Sequence, residues 1–251
     1  MTGWLAAQKR AAVARRKTEY QDRGVGTMLD GYSSAELDRL MGDLLGQERQ
    51  PAKFLRTRLD FLLGHLLVTR GENRRWLDLA DLCSVDFELQ EGPTRCICLV
   101  ATFGQGKTFK GRLEFMGAIR HRDARRCLLG ALAQYLFFRF QCTDEGFPDF
   151  STRESWYDTK VILGKDPQAE ISYDTQYEWI KQLFARQSIT SRKITHAMRG
   201  SAVRDADSHG VLEGEVCIPS FIPVDLSSES NTFGRYPELA SGTGPPWFRR
   251  T

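Results

Sequence analysis

The residues best suited to chemistry on a phosphate group are His196 and Arg199, in the segment His196-Ala-Met-Arg199. Side chains three residues apart project from the same face of a helix. The surrounding sequence predicts one helix, with Thr195 as a fair N-cap and Gly210 as a natural C′ residue. Two hydrogen-bond donors would then lie near the positive end of a helix, where anions bind favourably. His-x-x-Arg alone is a weak signal, because surface helices produce it by chance.

Two upstream residues could complete such a phosphate pocket. Lys107, in Gly106-Lys-Thr108, stands between two segments with strand-like alternation. It is therefore predicted at the tip of a β-hairpin, from which a lysine can reach a phosphate. Arg70 follows an apolar helix and must lie at the surface or be paired, for example with Glu72 or Asp78. A solvated turn remains the alternative for Lys107, and a structural salt bridge remains the alternative for Arg70.

A second motif in the same region suggests nucleotide binding. Ala101-Thr-Phe-Gly-Gln-Gly-Lys-Thr108 satisfies the permissive phosphate-loop pattern and follows a predicted strand. That loop needs a helix starting at its lysine, so that backbone N–H groups cradle the phosphates. Here the residues after Lys107 alternate and include Gly111, which favours a return strand. Nucleotide binding is therefore the least favoured interpretation.

The distribution of charge favours a polyanionic partner. The formal net charge of the chain is only +3. The basic residues, however, gather in three stretches that are poor in acids: 9–23, 107–126 and 186–204. One such stretch is usually a solvated face, but three of them raise the expectation of a polyanion such as nucleic acid.

Composition also excludes several classes of protein. No run approaches the roughly 18 apolar residues of a membrane helix, and the N-terminus has no apolar signal-peptide core. We therefore expect a soluble intracellular protein without a membrane partner. Six cysteines lie in apolar surroundings without a Cys-x-x-Cys pair, which predicts reduced core thiols and no metal site: Cys83, Cys96, Cys98, Cys127, Cys142 and Cys217. No cofactor is expected.

The elements that must position these residues follow from periodicity. A capping box at Ser33-Ser-Ala-Glu36 predicts a helix start. Helical spacing then predicts helices near 52–67, 73–82, 124–141 and 175–187. Arg56 and Arg58 are expected outside the buried stripe of the first of these helices, and the 124–141 helix is expected in the core because it is apolar nearly all round. Alternation near 85–89, 95–103 and 109–115 predicts an antiparallel sheet.

The predicted fold class is mainly α with a small antiparallel β-sheet. Three regions follow: a basic N-terminal arm or helix at 1–23, one domain at 24–212, and an irregular tail rich in Pro, Ser and Gly at 213–251. The tail contains Tyr236, in Phe-Gly-Arg-Tyr-Pro, which is the only tyrosine beyond the His196 helix.

The order of these elements resembles the catalytic domain of tyrosine recombinases. Arg70, followed by Leu77, Leu79, Asp81 and Leu82, is similar to that family's first arginine and the helix after it. Lys107 is similar to its β-hairpin lysine, and His196-Ala-Met-Arg199 is similar to its His-x-x-Arg box. In recombinases these residues hold and protonate the scissile phosphodiester, and a C-terminal tyrosine attacks it.

A closer resemblance extends over about residues 20–215. It is to the fungal family typified by the second domain of the kinetochore protein Ndc10, which includes sequences related to Crypton mobile elements. The similar segments are Gly26-Thr-Met-Leu-Asp-Gly-Tyr-Ser33, Leu62-Leu-Gly-His-Leu66, Arg70-Gly-Glu72, Gly106-Lys-Thr108, Arg120-His121, Cys127-Leu-Leu-Gly-Ala-Leu-Ala133 and Lys193-Ile-Thr-His196.

The resemblance implies a nuclear protein with a tyrosine-recombinase-like fold that binds double-stranded DNA. Arg70, Lys107, His196 and Arg199 would form the phosphate pocket. Further DNA contacts would come from Lys110, Arg120, His121, Arg192 and Lys193. The sequence departs from the recombinase pattern after Gly210, where Tyr236 is a weak candidate nucleophile. We therefore expect DNA binding without catalysis.

Two alternatives remain open after the resemblance is considered. One is a DNA strand transferase, intact or degenerate. The other is a chromatin or kinetochore interaction domain without direct DNA contact. A homodimer or a chromatin protein would be the further partner.

Overall fold

The computed structural model of the chain describes residues 30–47, 49–87, 96–104 and 113–210, together with Ala7, Gln8 and Ala11, which are helical and exposed. Several predictions lie outside the described residues. They concern Lys107, Lys110, Tyr236, the 213–251 tail and the rest of the 1–23 arm.

The described chain is mainly helical, with one small sheet, which confirms the predicted fold class. Its helices are α1 (Ser34–Leu45), α2 (Pro51–Leu66), α3 (Gly71–Trp76), α4 (Leu128–Gln141), α5 (Tyr173–Arg186) and α6 (Ala197–Ser208). Single 3-10 turns occur at Leu79–Asp81 and Ile194–His196. Among the described helices, none is both long enough and apolar enough to span a bilayer.

The start of α1 is fixed by the predicted capping box. The Ser33 N–H donates to Glu36 Oε2 at 2.8 Å, and the Glu36 N–H donates to Ser33 Oγ at 3.3 Å. These reciprocal bonds satisfy two backbone donors that a helix start leaves open.

Helix α2 is the centre of the fold and packs against each of the other five described helices. Its Phe61 is fully buried, with its ring centroid 5.1 Å from that of Tyr32 and 6.2 Å from that of Phe184 on α5. Burying each large apolar side chain in this way stabilises the fold by about 1.5–3 kcal/mol.

The sheet contains three antiparallel strands in the order of the chain, β1 (Leu82–Phe87), β2 (Cys96–Phe103) and β3 (Glu114–Ile119). In its register, Leu82 pairs with Ala101 and Phe103 pairs with Glu114. The third antiparallel strand of the predicted sheet is confirmed, but it lies at 114–119, whereas alternation predicted it at 109–115. Residues 105–112, which include Lys107 of the phosphate-loop motif, lie outside the described part of the chain.

The prediction for Arg58 was wrong, because this side chain is buried. Its Nη1 donates to Gln134 Oε1 on α4 at 2.7 Å, and its Nη2 donates to the Ala124 carbonyl at 2.6 Å. Arg56 is half-buried, with its guanidinium 4.3 Å from the ring centroid of Trp179. Both arginines therefore hold helices together instead of facing water.

Two helix boundaries also differ from prediction. The helix predicted at 73–82 ends at Trp76, because the next residues pair with a distant segment: the Leu79 N–H donates to the Thr159 carbonyl at 2.8 Å. Helix α4 starts at Leu128, four residues later than predicted. It is not buried on all sides, since Phe137 is 65% exposed.

The cysteines are only partly core residues. Cys98 and Cys127 are buried free thiols, as predicted, whereas Cys83 and Cys142 are exposed. Cys127 also caps α4, because its Sγ accepts the Gly130 N–H at 3.4 Å. Among the described residues, no group of three or more His, Cys, Asp or Glu side chains could hold a metal ion.

Candidate nucleic-acid interface

His196 lies at the junction of a 3-10 turn and α6, and not within the first α-helical turn. The prediction of Thr195 as N-cap was wrong, because Thr195 is buried inside the 3-10 turn and His196 itself occupies the cap position. No side chain caps α6. The 3-10 turn Ile194–His196 runs directly into this helix, so His196 lies near the positive end of the helix dipole. Gly210 follows the helix with a φ of +77°, as a C-terminal glycine should.

Three arginine charges converge on His196. The pKa of His196 is lowered, first by partial desolvation of its ring, and then by the positive charges of Arg74, Arg70 and Arg199, with Glu72 opposing them. His196 and Arg199 are exposed, whereas Arg70, the N-cap residue of α3, is half-buried. The fold therefore brings together three predicted site residues that come from two distant parts of the chain.

The corner that carries Arg70 is held by a buried polar network. The Arg74 Nε donates to Asp60 Oδ1 at 2.8 Å, and its Nη1 donates to the Thr69 carbonyl at 2.9 Å. The Gln176 Nε2 donates to Asp60 Oδ1 at 2.7 Å and to the Gly71 carbonyl at 3.3 Å. The network joins α2, α3 and α5 and fixes the start of α3 relative to the core.

Helix α6 approaches this corner closely because α2 carries a glycine at the crossing point. A Cβ atom on Gly64 would lie 2.7 Å from Arg74 Nη1 and 3.2 Å from Met198 Cβ. Met198 is fully buried, so its neighbours His196 and Arg199 are fixed on the outer side of α6. A larger residue at position 64 would separate the two halves of the site.

The segment before α1 fixes the other side of α6. The Tyr32 N–H donates to Ser201 Oγ at 3.0 Å, and the Arg204 Nη1 donates to the Asp30 carbonyl at 2.8 Å. Gly31, between these residues, has a φ of +133°, and a Cβ there would clash with Ser201 Oγ. Only glycine suits this close approach.

A buried histidine connects the same elements. The Tyr32 hydroxyl and His65 Nδ1 are 3.0 Å apart. The pKa of His65 is lowered to about 4, first by burial and then by the charge of Arg126, while a hydrogen bond to the Met198 backbone opposes the shift. His65 is therefore neutral at physiological pH and connects α2 to α6 through neutral hydrogen bonds.

Arg192 and Lys193 belong to the same loop as His196. Both are exposed and directly precede the 3-10 turn. The Arg192 N–H donates to Asp30 Oδ2 at 3.2 Å, and the Lys193 N–H donates to Ser191 Oγ at 3.1 Å. Their backbones are thus anchored, and their side chains reach the solvent beside His196.

Arg120 and His121 contact other parts of the chain than the His196 loop. Arg120 is exposed after β3, and its N–H donates to the Ile97 carbonyl at 3.2 Å. The half-buried His121 accepts the Asp123 N–H at Nδ1, at 2.9 Å, and lines a small cavity with His65 and Arg126. These contacts do not join either residue to Arg70 or His196.

Sequence reasoning missed the residues that support the site. Asp78, a possible partner for Arg70, instead pairs with Lys160 at 2.7 Å. Arg74 and Gln176 were overlooked, although one signal was available: Asp60 stands in the apolar stripe of α2, and a buried carboxylate needs a cationic partner.

The fold is that of tyrosine recombinases. The Flpe–Holliday junction complex is 12% identical to this chain with a TM-score of 0.52, covering 86% of this chain and 52% of that chain. The XerH site-specific recombinase bound to difH substrate, in its pre-cleavage complex, is 13% identical with a TM-score of 0.47, covering 69% of this chain and 41% of that one. The chain thus spans about half or less of the length of these structures.

The family follows from the sequence. Residues 7–216 match the family described as the centromere DNA-binding protein complex CBF3 subunit, domain 2. The chain belongs to this family, and both predicted resemblances are confirmed. No curated protein matches the sequence.

Proposed function

We propose that this chain binds duplex DNA mainly through the phosphate backbone, at a pocket formed by Arg70, His196 and Arg199, and that it does so without cleaving the strand. The observation that carries the proposal is the electrostatic effect of Arg70 and Arg199 on the His196 ring, which places these three side chains near one another. The third charge that acts on this ring, that of Arg74, is paired with Asp60 in the interior. Membership of a family described as a centromere DNA-binding domain supports the choice of DNA as the anion.

The chemistry of the pocket suits a phosphodiester. Guanidinium groups bind phosphate oxygens with paired, charge-assisted hydrogen bonds. His196 would gain a proton when the negative phosphate offsets the neighbouring arginine charges. Further phosphate contacts along the same backbone are assigned to Lys107, Lys110, Arg120, His121, Arg192 and Lys193. Contacts of this kind position the protein on DNA and carry little sequence information.

The test is a mobility-shift series with Arg70→Ala and Arg199→Ala on several unrelated duplexes. Each change should weaken binding about 10- to 100-fold, because a hydrogen bond to a charged group contributes about 1.5–3 kcal/mol. The loss of affinity should be similar on every duplex. The slope of log affinity against log salt concentration should become shallower by the amount expected for about one phosphate contact. Lys181→Ala is the matched control, since Lys181 is an exposed cation on α5 that pairs with Glu178.

If the folded Arg70→Ala and Arg199→Ala proteins bind DNA with unchanged affinity, the pocket is not part of the DNA interface. If the wild-type chain fails to bind DNA-cellulose at low salt, the alternative of a chromatin or kinetochore interaction domain without direct DNA contact is favoured.

The same residues also favour a second candidate function, a tyrosine-recombinase-type strand transferase, because that chemistry uses the same cationic positions. A nicked suicide duplex separates the two. Without catalysis no covalent adduct forms. An adduct that disappears in Tyr236→Phe would establish the transferase instead.

We also propose residues 24–212 as the DNA-binding domain, with 1–23 as a basic arm and 213–251 as an irregular tail. A DNA partner implies a nuclear location. The family match ends at residue 216, near the proposed boundary at 212, but it begins at residue 7, inside the proposed arm.

A further inference from the structure

A cluster of exposed aromatic residues lies between α4 and α5. Of the large hydrophobic residues that are exposed in the described part of the chain, four fall in this one region: Phe137, Phe147, Phe150 and Tyr157. We call these residues, together with Phe140 and Trp156, the aromatic strip. Contiguous exposed apolar patches on a protein surface are common sites of interaction with other molecules.

Five of the six rings, all except Phe137, form a continuous chain of edge-to-face contacts. Ring centroids are 5.5 Å apart for Phe140 and Phe147, 5.6 Å for Phe147 and Phe150, 4.8 Å for Phe150 and Trp156, and 4.9 Å for Trp156 and Tyr157. None of these residues belongs to the hydrophobic core. The rings therefore support one another while much of their surface stays in water.

This exposure is built into the fold. Arg139 is buried on α4; its Nε and Nη2 donate to the Glu145 carboxylate at 2.6 Å, and its Nη1 donates to the Lys160 carbonyl at 2.5 Å. The Thr159 N–H donates to the Trp156 carbonyl at 2.9 Å. These bonds fix both ends of the loop, so the strip is presented in a defined shape, which lowers the entropic cost of binding.

The border of the strip is acidic. Six exposed acids lie in the segment between α4 and α5, against two exposed bases, Arg153 and Lys165. Four of these acids alternate in sequence with the aromatic residues and are called the border acids: Asp144, Asp149, Glu154 and Asp158. The Ser151 N–H lowers the pKa of Asp149, which keeps that carboxylate ionised. A negative border repels DNA, and it also repels the same surface of a second copy.

The rings already accept cations. The Arg153 guanidinium lies 5.9 Å from the centroid of Tyr157, and the Arg139 guanidinium lies 4.9 Å from that of Phe140. Lysine and arginine side chains bind aromatic faces in this way. Rings and carboxylates therefore favour the same kind of ligand, one that is cationic and partly apolar.

We propose that the aromatic strip is a docking surface for a basic peptide segment of another protein. Large apolar side chains of that segment pack between the rings, and its lysine or arginine residues pair with the four border acids. The strip is separate from the elements that carry His196 and Arg70, so this activity does not depend on DNA binding.

The experiment is a selection of random peptides displayed on phage against the full chain. Peptides recovered on the wild type should be enriched in Lys and Arg together with large apolar residues. Their affinity should fall at least about tenfold for Phe147→Ser/Phe150→Ser, since interface aromatics contribute most of the binding energy. Tyr173→Ser is the matched control, because Tyr173 is 52% exposed and lies outside the strip; it should bind as the wild type does.

A second variant tests the border. Asp149→Asn/Glu154→Gln should weaken the selected peptides and flatten the salt dependence of their binding. Equal thermal unfolding midpoints of all variants establish that the fold is intact.

Four results would overturn the proposal. Peptides without a basic bias, or peptides that bind the Phe147→Ser/Phe150→Ser protein equally well, would show that the ligand chemistry is wrong. A loss of DNA affinity in that variant would assign the strip to the DNA surface. Wild-type dimers that become monomers in the variant would make a second copy the occupant.

Discussion

Acidification should destabilise this protein through His65. The pKa of His65 is lowered from 6.5 to about 4 by burial, and its ring contacts Tyr32 and the Met198 backbone. In the unfolded chain the pKa returns to its ordinary value. At a pH between these two pKa values, His65 binds a proton in the unfolded chain but not in the folded chain, so acid favours unfolding.

The magnitude follows from the shift. Each pKa unit corresponds to 1.36 kcal/mol, so a shift from 6.5 to about 4 makes unfolding easier by about 3 kcal/mol at low pH. Stability is complete above about pH 6.5 and is lost as the pH falls towards about 4. Such a change is a large fraction of the total stability of a domain, about 5–15 kcal/mol.

Urea unfolding of the wild type and of His65→Gln, followed by circular dichroism between about pH 7.5 and pH 4.5, measures the effect. Carboxylates also titrate near the acidic end, so the relevant quantity is the difference in the free energy of unfolding between the two proteins. As the pH falls, the free energy of unfolding should decrease more for the wild type than for His65→Gln. If it stays constant across the range, His65 does not carry the pH dependence, and the reasoning from burial fails.

Two further predictions concern the interface. DNA affinity should increase as the pH falls from about 8 to about 6. The pKa of His196 is lowered in the free protein by partial burial and by the neighbouring arginines, and a bound phosphate raises it. Fluorescence anisotropy should show no such trend in His196→Gln. Gly31→Ala should lower the free energy of unfolding by about 1–3 kcal/mol, owing to its positive φ and the clash with Ser201. Calorimetry should show no loss for Gly42→Ala, whose added Cβ meets only open space.

Local rules predicted much of the fold. The Ser33–Glu36 capping box and the apolar stripe of α2 depend on residues within one or two turns, so both are visible in sequence. The antiparallel sheet was also predicted, because alternation and turn residues are local signals. Boundaries set by distant partners were missed: α3 ends where residues 77–79 pair with the 159–161 segment.

Burial of charge was the main failure of prediction. Arg58, Arg74 and Arg139 are among the largest fully buried side chains, although arginine is ordinarily a surface residue. Their partners are carbonyls or carboxylates brought near by folding. The opposite error occurred at Phe137, where the apolar composition of the 124–141 segment predicted burial and the side chain is exposed.

The candidate site was predicted in part. Spacing alone paired His196 with Arg199, and the position of Arg70 at the end of an apolar helix made it a candidate, to which the family resemblance assigned a place in the phosphate pocket. The apolar surroundings of Asp60 indicated that it needs a cationic partner. Its actual partners and the close contact at Gly64 could not be predicted, because each depends on a crossing of helices that are remote in sequence.

Several arginines of the basic stretches pair with other groups of the protein, and they should not be counted as charge that is available to DNA. In the basic stretch 186–204, Arg186 pairs with Asp43 at 2.7 Å, and Arg204 donates to the Asp30 and Tyr32 carbonyls. In the stretch 107–126, Arg126 pairs with Asp38 at 2.5 Å. Such charges are compensated within the fold and attract phosphate weakly. Under the proposed function, phosphate contacts would therefore come mainly from the exposed basic residues beside His196 in the sequence, Arg192, Lys193 and Arg199. Such a short group of residues would suit a single backbone segment better than a broad basic face does.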